Sequence, residues 1–159
     1  MSPKHAAQLA ALVHRRKAAA LGTLHAGAPF VSMVPYAVAR EGDAFLVHVS
    51  RLAAHTKDML ADPRVSLLVT QPEGEGVDAQ ALARVSIQGE ARELAKGSGE
   101  EREARGAYLA RFPEAAPLTE FGDFSFFAIH PAQARFVAGF AQAMSLTGES
   151  LAKVLAAQS

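Results

Sequence analysis

Residues 45–69 read FLVHVSRLAAHTKDMLADPRVSLLV, and three elements follow one another within them. The run at 44–49, AFLVHV, is short and rich in Val and Phe, as a strand is. Leu52, His55, Met59 and Leu60 then recur at helical spacing, which predicts a helix over 52–61. Asp62-Pro63 stops it, because the residue before a proline avoids the helical region. RVSLLVT, 64–70, resumes as a strand. Upstream, AAALGTLH (18–25) reads as a strand, although its alanines also suit a helix. A turn centred on Gly27 leads into a second apolar run, PFVSMVPYAVA, and Arg40-Glu41-Gly42-Asp43 is a further turn. Together these predict an antiparallel meander.

The flanks complete the pattern. Leu9, Leu12 and Val13 at helical spacing predict a helix over 4–16. Residues 71–81, with Pro72, Gly74 and Gly76 among acidic groups, are a loop, and 83–95 alternates as a long strand. A charged helix is expected over 99–111, ending near Phe112-Pro113. FSFFAIHPAQARFVAG (124–139) supplies one or two last strands, and a tail helix over 146–157 would be started by Thr147 or Ser150. The tally is about six strands and four helices, with no repeat and no linker, so 1–159 reads as a single domain.

Composition excludes several classes of chemistry. Half of the 159 residues are apolar, a fifth are charged, and the formal net charge is zero. A nucleic-acid partner held by bulk electrostatics is therefore not expected, and no dense stripe of Lys and Arg occurs. The absence of cysteine removes disulfides, thiolate catalysis and thiolate metal sites. The start lacks the layout of a signal peptide, and no run of about 18 apolar residues is present, so neither a membrane span nor export is expected and a cytoplasmic location is. His5, His14, His25, His48, His55 and His130 show no H-x-x-x-H or H-E-x-x-H spacing, so no metal site is expected. The chain also lacks G-x-S-x-G, G-x-x-x-x-G-K-[ST] and G-x-G-x-x-G.

The stretch Ser50 to Asp58 carries the clearest chemistry. It leaves a strand and opens a helix, whose first N–H groups and partial positive charge attract anions. His55 and Lys57 in that first turn oppose the helix dipole unless an anion sits among them, and Ser50 and Thr56 add hydroxyls. An ordinary strand-to-helix junction with a solvated lysine explains the same residues equally well. Ser32, amid apolar neighbours, is either satisfied by the backbone or turned to the same pocket. Pro35 forces its strand to bend or leave the ladder. Arg84 opens a strand and is either a surface arginine or a forked donor for phosphate. His25 and His48 are proton donors by type, with structural roles as the alternative.

AAALGTLHAGAPFVSMVPYAV, FLVHVSRLAAHTKDMLADPRVSLLV and RVSIQGEARELA follow one another over residues 18–95 in an order that resembles the FMN-binding split-barrel family related to pyridoxamine 5′-phosphate oxidase. SMVPYA, SRLAAHTKDMLADPRVSLL and RFVAGFAQA bring it nearest to the branch linked to haem utilisation. The resemblance implies a mainly β fold with flanking helices: a six-stranded antiparallel split β-barrel that forms a homodimer with FMN at the interface. By position it assigns Ser32, Met33 and Val34 to the strand lining the flavin, Ser50 to the next strand end, His55, Thr56 and Lys57 to the phosphate, and Arg84 to the flavin region.

The chain also departs from that pattern. In the oxidase proper the strand matching PFVSMVPYA carries an Arg and a Lys, where this chain has Ser32 and Ala37, and the helix-start Lys reads His55. The Arg-rich C-terminal substrate motif is absent, so oxidation of a vitamin B6 phosphate is not the expected reaction. Haem-degrading members use a C-terminal histidine segment, and no histidine follows His130. The expected activity is FMN-dependent oxidoreduction of a small molecule, with electrons from a reduced nicotinamide or another small reductant. The alternative is a non-catalytic protein of haem utilisation that binds or sequesters a flavin or haem.

Overall fold

The computed structural model describes residues 1–156. Eight strands form one antiparallel sheet: β1 Ala18–His25, β2 Ala28–Pro35, β3 Ala37–Val38, β4 Phe45–Ser50, β5 Arg64–Thr70, β6 Arg84–Glu93, β7 Phe124–Val137 and β8 Ala143–Thr147. Their spatial order is β2-β1-β5-β6-β7-β4-β3, and β8 adds to β7. Four α-helices flank the sheet: α1 Pro3–Arg15, α2 Ala54–Ala61, α3 Gly99–Arg111 and α4 Gly148–Ala156.

The two outer strands of that order, β2 and β3, are consecutive in the chain with Tyr36 alone between them. The sheet must therefore curl until its edges meet, which makes it a barrel. Pro35 ends β2 because it has no N–H to give to a ladder. Tyr36 locks the joint. Its N–H donates to the Lys17 carbonyl at 3.1 Å and its buried hydroxyl to the Val13 carbonyl at 2.6 Å. The Arg111 guanidinium lies 5.7 Å from the Tyr36 ring centre and donates to the carbonyls of His14 and Arg16. Between β2 and β4 the barrel is split: the strands approach without sharing a ladder.

Alternation along the strands sends one face inward. Leu21, Val47, Val69, Ile87, Phe127 and Phe136 fill the interior, and Leu9 and Val13 of α1 with Leu151 and Leu155 of α4 close it. A second apolar cluster lies outside β4 and the first half of β7, where Leu46, Phe126 and Ala128 pack under Ala104 and Tyr108 of α3. β4 is thus buried on both faces, which is why its sequence is a nearly unbroken apolar run.

The strand count exceeds the expected six for two local reasons. Pro35 and Tyr36 divide the 29–39 run into β2 and β3, and the weakly patterned AMSLT forms β8. The 124–139 run is one long strand that pairs with β4 over Phe124–Ser125–Phe126–Phe127–Ala128–Ile129 and then with β8. The tail helix begins at Gly148 rather than 146, with the Thr147 hydroxyl accepting the Ser150 N–H at 3.1 Å as an N-cap. Its expected last residue, Ala157, lies outside the described residues. No helix of the described chain is long and apolar enough to cross a membrane.

Candidate functional site at the α2 corner

α2 starts at Ala54, two residues later than its apolar spacing predicts, and its N-cap residue Ala53 has no side chain able to cap. The first helical N–H to reach a carbonyl is that of Lys57, which donates to Ala53 at 3.3 Å. The amides of Ala54, His55 and Thr56 find no acceptor among the described residues. Lys57 is exposed beside them. His55 is half-buried, and burial pushes its imidazole below the ordinary range while the Asp58 carboxylate partly restores it.

The hydroxyls of this junction are spent within the protein. Ser50 Oγ donates to Asp123 Oδ2 at 3.0 Å and accepts the Leu52 N–H at 3.1 Å. Fully buried Thr56 donates to the Ser50 carbonyl at 2.6 Å. They shape the turn from β4 into α2. Ser32 faces the barrel interior opposite Leu21, and its Oγ is buried without a partner among the described residues. Val34 is buried on the same face, whereas Met33 points out to solvent.

The structure therefore gathers Ser50, His55, Thr56 and Lys57 at one corner, with Ser32 and Val34 on the neighbouring edge strand. Arg84 is not there. α2 runs directly into β5 at Arg64, which pairs with Glu90, while Arg84 pairs with Thr70 at the far end of β5. Its guanidinium is bound to the carbonyls of Gln80 and Leu82 at 3.2 and 2.9 Å.

Three further residues complete the corner: His25, a proton donor by type in the sequence, Asp58, the last residue of the Ser50–Asp58 stretch but given no role there, and Thr23, which no motif singles out. Asp58, on α2, is 4% exposed, yet its carboxylate reaches β1, where Thr23 Oγ1 donates to Oδ2 at 2.8 Å and His25 Nδ1 meets Oδ1 at 2.6 Å. Burial alone would raise the Asp58 carboxyl; the hydrogen bonds from His25 and Thr23 outweigh it and hold the group below the usual carboxylate range. An ionised carboxylate only accepts, so His25 Nδ1 carries the hydrogen, and Nε2 has no hydrogen-bond partner among the described residues. The His25 side chain is 59% exposed, 5.6 Å from the Phe30 ring centre to centre. A signal for this cluster is present in the sequence: Thr23 and His25 are polar residues at period two on the strand face that also carries Ala19 and Leu21. His48, the other histidine of that type, is wedged 4.3 Å from Phe126 and 5.1 Å from Phe124, and burial lowers its pKa.

A groove of about 860 Å³ lies elsewhere, between α3 and the outer face of β4 and β7. None of the residues at the α2 corner lines it. Its floor is alanine-rich and its rim mixes Arg92 and Arg102 with Glu100 and Glu103, so it has no single sign of charge to match a ligand. The α2 corner is open surface in one chain, and its uncapped amides and oriented imidazole make it the site with the more specific chemistry.

Residues 6–138 match the model of the pyridoxamine 5′-phosphate oxidase family. The chain belongs to that family. Among its relatives the chain is 41% identical over 124 residues to a chloroplastic haem oxygenase of Arabidopsis thaliana, HOZ, covering 77% of this chain and 36% of the plant protein. It is 30% identical over 138 residues to the haem oxygenase HutZ of Vibrio cholerae, covering 86% and 77%. Its fold is similar to a haem-binding protein from Mycobacterium smegmatis, with a TM-score of 0.85 and 30% identity over 96% of this chain and 62% of the other. This family member thus spans about a third of the plant relative's length and most of the bacterial one's.

Proposed function

We propose that this protein is a haem-binding member of the pyridoxamine 5′-phosphate oxidase family that serves haem utilisation as a homodimer. The observation that carries the reading is the 41% and 30% identity to two proteins from a plant and a bacterium that are both named for haem. The α2 corner suits such a ligand chemically. Haem is an apolar disc with two carboxylates and an iron that takes nitrogen ligands. The unpartnered amides of α2 and the Lys57 ammonium suit the carboxylates, and Phe30 supports the disc. When bound, haem supplies an iron centre for ligand or electron chemistry; the chain's part is to anchor and orient it.

FMN is the second reading, favoured by the same uncapped helix start, since a phosphate also fits amides at a helix N-terminus. In that reading Ser32, Met33 and Val34 line the ring and Ser50, His55, Thr56 and Lys57 lie near the phosphate. Arg84 is remote from α2 in one chain, so its contribution requires a second subunit. Purification from cells supplied with a haem precursor separates the two readings. A Soret band that co-elutes with the protein is the expected result. Flavin bands with no Soret band would replace haem with FMN.

A further inference from the structure

We propose that His25 is the residue through which this chain ligates haem iron, by Nε2, and that Asp58 and Thr23 form the frame holding it there. This rests on the haem reading above and adds to it the identity of the ligand. Nδ1 is committed to Asp58 Oδ1 at 2.6 Å, so the imidazole keeps one tautomer and offers its lone pair outward. Asp58 cannot swing away: it is rooted on α2, buried, and its second oxygen is held by the buried Thr23 hydroxyl at 2.8 Å. Placing a carboxylate under a strand is costly unless it does something an asparagine or leucine would not. Orienting an exposed imidazole is such a task, and metal-ligating histidines commonly pass their other N–H to a carboxylate.

The other five histidines lack this combination. His14 Nε2 is bonded to the Leu155 carbonyl at 2.9 Å, and His5 Nε2 to the Gln142 side chain at 3.1 Å. His48 is enclosed by the rings of Tyr108, Phe124 and Phe126. His55 and His130 have no carboxylate bonded to the ring among the described residues. Only His25 joins an exposed Nε2, a buried carboxylate behind it and an aromatic ring alongside. With haem bound, His25 Nε2 would be the nitrogen donor to its iron, and Asp58 and Thr23 would hold the imidazole in place for it.

The test loads the apo-protein with ferric haem and compares wild type with His25→Ala, His25→Gln and Asp58→Asn. The glutamine variant keeps a donor for Asp58, so it remains informative should the alanine variant fail to fold. The wild-type complex, reduced, should show an iron–histidine stretching band by resonance Raman. That band should vanish in both His25 variants and an imidazole-bound spectrum should appear when imidazole is added. Asp58→Asn should keep the band at lower frequency and weaken haem binding by about 10-fold or more. An unchanged band in either His25 variant would overturn the ligand assignment while leaving haem binding intact. Wild-type protein that takes up no haem would overturn the haem reading and the ligand assignment together.

Discussion

Asp58 is buried and ionised, and each fact has a measurable consequence. Its carboxyl is held below the usual carboxylate range by His25 and Thr23, so the unfolded chain takes up this proton before the folded one does. A depressed pKa contributes stability that is present above the unfolded value and is lost as the pH falls through the folded one. The stability advantage of wild type over Asp58→Asn should therefore be largest near neutrality and shrink as the pH falls through and below the ordinary carboxylate range. Urea melts at several pH values measure it, and a difference independent of pH would contradict the assignment. At this scale the sequence is half legible. Ser50, His55, Thr56 and Lys57 stand out because they are contiguous at a strand-to-helix junction. The His25–Asp58 pair joins residues 33 positions apart, and only the docking of α2 on β1 reveals it. The hydroxyls of Ser50 and Thr56 are equally uninformative in sequence, since nothing local says that they bind Asp123 and a backbone carbonyl.

Elements were most legible where a single local rule decided them. The helix over 52–61 and the strand over 64–70 rest on Asp62-Pro63 and are found at 54–61 and 64–70. Where tertiary contact decides, the sequence is silent. β8 is held by β7 rather than by its own weak pattern, and β3 exists because Tyr36 bridges the two sheet edges. That bridge is testable. Tyr36→Phe removes the hydroxyl that satisfies the buried Val13 carbonyl and should cost about 1 kcal/mol in chemical denaturation. The Tyr36 phenol, pushed up by burial, should stay protonated well beyond the ordinary tyrosine range in an ultraviolet titration. β7 gives a second test at Pro131, just before the stretch that pairs with β8. A Cβ on Gly148 would lie 2.1 Å from the Pro131 carbonyl oxygen. Gly148→Ala should therefore destabilise the fold by about 1–3 kcal/mol, as overpacking against backbone does, and a neutral effect would show that the α4 junction relaxes freely.

For the whole molecule, the informative surface is the outer face of β2, β1 and β5. Val31 and Met33 are 68% and 65% exposed there, with Leu68 on the adjoining strand, and no helix of the described chain covers them. A face of this kind is expected to be an interface. The proposed homodimer covers it with a second copy, and the same arrangement would supply the wall that the open α2 corner lacks. Met33→Glu should shift the mass by light scattering from twice 16.7 kDa towards the single chain, without loss of secondary structure. The sequence shows that Val31 and Met33 are apolar, but the alternation along β2 that turns them outward is not evident until the strand's register against β1 is known. Arg84 shows the same limit: it is placed beside the phosphate residues by motif order and lies at the opposite end of β5 and β6 in the fold.

The central claim is that a dimer of this chain takes haem in preference to FMN. Native mass spectrometry of the apo-protein offered both at equal concentration tests it most directly. The account predicts a two-chain species carrying haem, with FMN displaced or absent. A two-chain species saturated with FMN and free of haem would contradict it.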